Sequence, residues 1–310
     1  MVVVTQHPEH LPPALRATIE ALRGDGSDVP RTRLARLTDR EWLELNCAVV
    51  EGANPLPELL PDVPRDEVRR IFTARDGRVD FEQAFAFYVH ARALWRRWQG
   101  ADVAPGPLLE FGCGWGRILR FWLRDLPPEE LWGVDCFSYA VNWFRRTRNP
   151  ARVLHVDPEP PLVGDLPAFA LIYAFSVFSH LSEDLARRWI AALGARLRPG
   201  GLLVLTTRGQ VFLDELEAAR AAPPESDRMQ RTLAALPSAH EVRRRLAAGE
   251  FLFLQTHEGD GELRGEHYGE AWIPRGWAER VGREAALRLV AYDEAVPGVD
   301  QPVFAYCKER

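Results

Sequence analysis

The sequence predicts an α/β fold: a doubly wound, mostly parallel seven-stranded sheet with a helical N-terminal region and a helical insertion after the fifth strand. Three observations predict it. Gly112, Gly114 and Gly116 fall within five residues, directly after an apolar run at 108–111. Short apolar runs then alternate with helix-like segments. Two more short apolar runs lie near the end of the chain.

Residues 1–100 read as helical. Thr38 and Asp39 cap a helix through Glu41, Trp42, Leu45 and Val49. Residues 79–99 carry Phe81, Phe85, Tyr88, Val89, Leu94, Trp95 and Trp98 near helical spacing, and Gly100 stops the pattern. Such an aromatic stripe predicts core, with the lining of a substrate pocket as the functional alternative. Proline-rich stretches at 54–64 and 104–107 punctuate this part. The first strand follows at 108–111, and a helix is expected from the glycines to about Arg124. The next strands are expected at 131–134, 152–156, 169–175 and 202–206, with a helix at 139–146. Residues 209–262 are long for a connection and contain helix-like pieces at 211–222 and 239–248, so a cap is expected there. A helix at 274–281 and strands at 287–292 and 302–307 complete the pattern. The domain reading is a helical cap region at 1–100 and one α/β domain at 101–310, with its insertion at about 209–262.

Composition excludes several classes. The 310 residues suit one large domain or two small ones, and 46% hydrophobic with 27% charged is ordinary globular material. No apolar run approaches the roughly 18 residues of a membrane span. The opening MVVVTQHPEHLPP has no basic segment and no apolar core, so no secretory signal is expected. Cys47, Cys113, Cys136 and Cys307 are widely spaced with no CxxC pair. That argues against zinc and against a disulfide framework, and predicts no metal site and a cytoplasmic, reducing setting. A net charge of −5 predicts no nucleic-acid partner.

A glycine-rich turn between strand and helix lets backbone amides approach a ligand. The dinucleotide pattern GxGxxG would place its third glycine at Arg117, so a nicotinamide dehydrogenase is disfavoured. No Lys-Ser or Lys-Thr follows, which excludes a P-loop. Glu110 precedes the glycines at the strand end. Asp135 ends LWGVD, 19 residues after Gly116, where an acid accepts hydrogen bonds from ribose hydroxyls.

The loop FGCGWGR, the acid of GVD, the run FALIYAFSVFSHL at 169–181 and LRPGGLLVLTT at 197–207 resemble the class I S-adenosylmethionine-dependent methyltransferases. More narrowly, the chain looks like the bacterial subgroup with FGCGWGR and SVFSHL signatures. The match is strong over residues 107–208 and weaker at HYGEAW and DQPVFAYCK. The resemblance implies a Rossmann-like fold and S-adenosyl-L-methionine as cofactor. It implies that Gly112, Gly114 and Gly116 line the amino-acid and ribose parts. Glu110 would face the methionine ammonium and Asp135 the ribose diol. Asp157 would lie near the adenine amine, Cys136 and Phe137 would flank the ring, and Ser176 would contact the cofactor.

Methyl transfer is an in-line displacement, for which orientation is worth roughly 7–11 kcal/mol in model systems. A hydroxyl or protonated amine must also lose a proton, and a positioned base adds ~10²–10⁴-fold. Ser176, Ser179 and His180 follow the fourth strand, and ligands of open α/β sheets sit outside the carboxyl ends of the strands. His180 is therefore the first candidate base, against a role in tying down the loop before Ser182. HYGEAW supplies His267, Tyr268 and Glu270 as a second cluster, on a lid or a solvent loop. The expected acceptor is a small molecule, glycan or peptide, in natural-product or glycan modification, with oxygen slightly favoured over nitrogen and sulfur. The alternatives are a non-catalytic, cofactor-binding partner subunit and an aminopropyltransferase.

Overall fold

The Thr38 hydroxyl accepts the Glu41 amide at 3.2 Å, and the Glu41 carboxylate accepts the Thr38 amide at 2.8 Å. This capping box starts a helix where the sequence places one. The structure, a computed structural model, describes residues 11–24, 31–73, 77–100, 103–220, 233–234, 237–256 and 264–309. The helices, in chain order, are α1 (Pro13–Arg23), α2 (Asp39–Val50), α3 (Asp66–Phe72), α4 (Gly77–Gln99), α5 (Ser138–Arg146), α6 (Glu183–Arg196), α7 (Gln210–Ala219), α8 (Ala239–Ala247) and α9 (Arg275–Glu284). The strands are β1 (Leu108–Phe111), β2 (Leu131–Asp135), β3 (Arg152–His155), β4 (Phe169–Ala174), β5 (Leu197–Thr206), β6 (Leu252–Gln255), β7 (Gly269–Trp272), β8 (Leu287–Asp293) and β9 (Val303–Lys308).

Seven strands form one sheet in the order β3-β2-β1-β4-β5-β9-β8. The β2–β3, β1–β4 and β4–β5 pairs are parallel, and β9 runs antiparallel to both β5 and β8. This is the doubly wound fold that the alternating pattern predicts. Every residue of β1 and β4 is buried, which is why both read as unbroken apolar runs.

The helix expected from the glycines to about Arg124 is present as a 3₁₀ helix at Leu119–Arg124. Gly112, Gly114 and Gly116 all have positive φ, so a right-handed helix has room to begin only beyond Gly116. The Phe121 amide then takes the Ile118 carbonyl at 2.9 Å, three residues back. HYGEAW, expected as a lid or a solvent loop, contributes β7, which is buried throughout and pairs antiparallel with β6 in a separate two-stranded sheet. Gly269 and Glu270 are poor strand formers, and pairing with β6 overrides local propensity.

The chain divides into two compact units. The first comprises Met1–Arg92, Ala104–Gly106 and Cys113–His155. Its core joins the N-terminal helices to the segment after the glycines. The Trp42 indole donates to the Phe121 carbonyl at 2.9 Å, and Phe81 stacks on Trp115 at 6.0 Å. Phe85 and Tyr88 of α4 are buried against Phe121, at 5.2 and 5.8 Å between ring centroids. Arg120 is wholly buried, giving Nε to Asn46 at 2.8 Å and Nη2 to the Pro61 carbonyl at 2.7 Å. Burial lowers its pKa to about 9.

The second unit comprises Ala93–Val103, Pro107–Gly112 and Val156–Arg310. Phe111 packs on Trp189 of α6 at 4.5 Å. Trp95 is buried, and its indole donates to the Val103 carbonyl at 2.6 Å. The aromatic stripe of α4 is thus core at Phe85, Tyr88 and Trp95, while Trp98 is half-buried under the Arg288 guanidinium at 5.0 Å. The inserted helices build a small core of their own, in which Leu213 and Leu216 of α7 and Val242 of α8 meet Leu252, Leu254 and Trp272.

Candidate functional site

In the first unit, the glycine loop closes on the end of β2. The Gly114 amide donates to Asp135 Oδ2 at 2.8 Å, and the Phe137 amide donates to Oδ1 at 2.9 Å. Each carboxylate oxygen therefore has a backbone N–H, and Asp135 is 7% exposed. Such charge-assisted bonds hold the side chain in one orientation. Cys136 follows half-buried, and its carbonyl accepts from His155 Nε2 at 2.9 Å. At Gly116, φ is +86°, and an added Cβ would stand 2.8 Å from both Phe144 and Asn149. The loop is tied to α4 through Arg117, whose Nη1 donates to Asp80 Oδ1 at 2.6 Å. Both side chains are buried. Arg117, which breaks the dinucleotide pattern, is therefore an anchor. The Asp80 pKa is raised by burial, an effect that Arg117 opposes.

In the second unit, Glu110 is the penultimate residue of β1 and a buried carboxylate. Gly112 has φ +76°, and an added Cβ would stand 2.3 Å from Val177. The first glycine thus touches the SVFSH segment after β4. Ser176 sits there with φ +57°, a strained conformation for a non-glycine residue. Its amide donates to Thr206 Oγ1 at 2.8 Å, and its hydroxyl accepts from Gln301 Nε2 at 3.0 Å.

The two polar clusters of the sequence are zipped together. The Gly269 amide donates to the His180 carbonyl at 2.8 Å, Ala271 to Ser179 at 2.8 Å, and Ser182 to His267 at 3.1 Å. The turn after β5 joins them, because the Arg208 amide donates to the Ala271 carbonyl at 3.1 Å. His180 is 6% exposed and stacks on Tyr268 at 5.1 Å. Its Nδ1 lies 2.7 Å from the Gly269 carbonyl. A carbonyl can only accept, so Nδ1 carries the proton and Nε2 carries the lone pair. Arg208 Nη2 lies 3.3 Å from that Nε2, while Arg208 Nε donates to Glu270 at 2.7 Å. The Arg208 guanidinium also covers the Phe212 ring at 4.0 Å. His267 is half-buried, with Nδ1 at 3.2 Å from the Ser182 hydroxyl.

Within the second unit, Glu110 thus lies on the strand beside β4, Gly112 follows that strand, and Ser176, His180, His267 and Tyr268 form one connected cluster. Within the first, Gly114, Gly116, Asp135 and Cys136 gather at the loop. Asp157 stands exposed after β3, outside either cluster. Arg208 and Gln301 escaped the sequence reading. Arg208 follows the threonines that end β5, and that carboxyl-end position was the available signal. Gln301 lies in DQPVFAYCK, where the resemblance is weak and assigns no role to any residue. Among the described residues, no group of three metal-ligating side chains comes together, and no helix is long and apolar enough to cross a membrane.

Residues 109–203 match the family model of a methyltransferase domain. The chain is similar to the biotin biosynthesis bifunctional protein of Bordetella avium, at 32% identity over 54% of this chain and 37% of that protein. It is similar to the ribosomal protein L11 methyltransferase of Cupriavidus metallidurans, at 29% identity over 71% of this chain and 70% of that one. The chain therefore spans little more than a third of the first relative's length. Among solved structures, the magnesium protoporphyrin IX methyltransferase of Synechocystis aligns at a TM-score of 0.46, with 11% identity over 79% of this chain and 94% of that chain.

Proposed function

We propose that the methyltransferase domain of this chain transfers a methyl group from S-adenosylmethionine to a small molecule, a glycan or a peptide, with a hydroxyl oxygen as the favoured acceptor atom. One observation carries the cofactor reading: the Asp135 carboxylate at the end of β2, held by the Gly114 and Phe137 amides. An acid at the end of the second strand of such a sheet, beside a glycine turn, is placed to accept from ribose hydroxyls. The loop suits the same group, since its three glycines take positive φ and carry no side chain of their own. When bound, S-adenosylmethionine supplies an electrophilic methyl group on a sulfonium.

The residues of the chain take the remaining roles. Gly112, Gly114 and Gly116 let amides approach the cofactor. Glu110, a buried carboxylate, suits the ammonium of its amino-acid part. Cys136 takes the adenine side, Asp157 its amine and Ser176 the backbone. His180 is the first candidate base, through Nε2, with His267 and Tyr268 beside it. For Nε2 to take a proton, the acceptor hydroxyl must replace Arg208 there. A thiolate or free amine needs no base, and orientation then dominates. Residues 1–100 act as a helical cap region and residues 209–262 as an insertion in the domain at 101–310. The bacterial FGCGWGR and SVFSHL subgroup and a reducing cytosol complete the reading.

The contact of Arg208 with His180 Nε2 favours a second reading, a cofactor-binding subunit without transfer that serves a partner protein. Single-turnover incubation with methyl-labelled S-adenosylmethionine and candidate acceptors separates the two. The first reading expects transfer by the wild type and a fall of ~10²–10⁴-fold in His180→Ala. Binding without transfer to any acceptor class favours the second. Near wild-type rates in both His180→Ala and His267→Ala would remove the base assignment.

A further inference from the structure

We propose that Phe72 and Tyr139 form an aromatic wall that holds the adenine nucleoside part of the cofactor. This rests on the cofactor reading above. Phe72 ends α3 and lies well outside the matched domain at 109–203. Its ring lies against the glycine loop, where an added Cβ on Gly114 would stand 3.4 Å from Phe72 Cδ1. The same ring lies 5.5 Å from Tyr139, and Tyr139 lies 5.2 Å from Phe137. The three rings therefore run in one contiguous row from Gly114 to Phe137, the two residues whose amides hold the Asp135 carboxylate.

The wall is partly open to water. Tyr139 is 38% exposed, Ile71 is 64% exposed, and Phe72 and Phe137 are half-buried. A flat, π-faced ligand removes such surface from water, and a purine next to a ribose-binding acid is that ligand. The wall is also held in place. The Asp62 amide, just before α3, donates to the Thr147 carbonyl at 2.8 Å, and Asp62 pairs with Arg148 at 2.8 Å. Arg120, beyond the glycines, holds the Pro61 carbonyl at 2.7 Å. Arg69 of α3 is buried and paired with Asp66. The base of α3 is thus fixed to both the loop segment and the end of α5. The N-terminal region contributes a cofactor-contacting residue.

Calorimetry with two probes tests this: S-adenosylhomocysteine, and 5′-methylthioadenosine, which keeps the nucleoside but lacks the amino-acid part. The full chain is titrated as wild type, Phe72→Ala, Phe72→Leu, Tyr139→Ala and, as a control on an exposed residue, Val163→Ala. Losing one stacking ring should weaken binding about 5- to 100-fold. The proposal expects similar factors for both probes in Phe72→Ala and Tyr139→Ala, a smaller loss in Phe72→Leu, and none in Val163→Ala. If Phe72→Ala does not fold, Phe72→Leu and the solvent-facing Tyr139→Ala decide. Unchanged affinities, or a loss confined to S-adenosylhomocysteine, would overturn it and leave the cofactor reading standing. A wild type that binds neither probe would overturn both.

Discussion

Arg208 Nε donates to the Glu270 carboxylate at 2.7 Å, and the Glu270 side chain is 1% exposed. The pair lies beside His180 and joins the turn after β5 to the HYGEAW strand. Breaking a buried ion pair leaves one charge without its counter-ion, at a cost of about 3–5 kcal/mol. Glu270→Ala should therefore destabilise the protein by about that much in urea unfolding. The double substitution Arg208→Met, Glu270→Met should recover most of the loss. A Glu270→Ala protein of wild-type stability would show that the pair contributes little.

Gly116 is a tightly constrained position of the loop. A methyl group there meets Phe144 and Asn149 in a backbone conformation of φ +86°. Gly116→Ala should cost about 1–3 kcal/mol from overpacking, with left-handed strain in addition. Thermal unfolding of the purified variant measures it, and an unchanged midpoint would show that the loop relaxes freely.

Much of this arrangement was legible in the sequence. The central strands β1, β2 and β4 are buried on both faces, so their unbroken apolar runs give them away. The place of Asp135 at the end of β2 was legible because the acid closes the short apolar run LWGV. The pairing of β6 with β7 was not. Leu252–Gln255 and Gly269–Trp272 are four-residue segments whose partners lie far apart in the chain, and nothing local in GEAW favours a strand. The same pairing hid the contact between His180 and HYGEAW, which the sequence presents as separate clusters. Arg208 and Gln301 act through long-range hydrogen bonds, and spacing does not encode those.

The thiols should differ in reactivity. Burial pushes the Cys47 pKa up to about 12. Cys113 and Cys307 are also buried, while Cys136, next to Asp135, is half-buried. A thiol reagent should modify Cys136 first in the native protein and reach Cys47 on unfolding, because the thiolate is the reactive form. S-adenosylhomocysteine should slow the first modification. Peptide mapping that finds Cys47 labelled first would contradict this.

The capping box at Thr38 predicts a pH dependence. The Glu41 carboxyl is held below its ordinary value, first by the Thr38 hydroxyl and then by the Thr38 amide. A carboxyl with a lowered native pKa adds stability above its unfolded pKa and loses it as the pH falls through the native value. The stability gap between wild type and Glu41→Gln should therefore be present near neutrality and close in acid. Thr38→Ala should cost about 0.5–2 kcal/mol. Denaturant titrations across the acid range read both, and a gap that widens on acidification would reverse the sign.

Asp135, between the Gly114 and Phe137 amides, is the proposed seat of the ribose of S-adenosylmethionine. Titrating S-adenosylhomocysteine into wild type and Asp135→Ala by calorimetry tests it most directly. Hydrogen bonds to a charged group are worth about 1.5–3 kcal/mol, so the folded variant should bind about 10- to 100-fold more weakly. Equal affinity in a folded Asp135→Ala protein would take Asp135 out of the site, and no binding by the wild type would contradict the account as a whole.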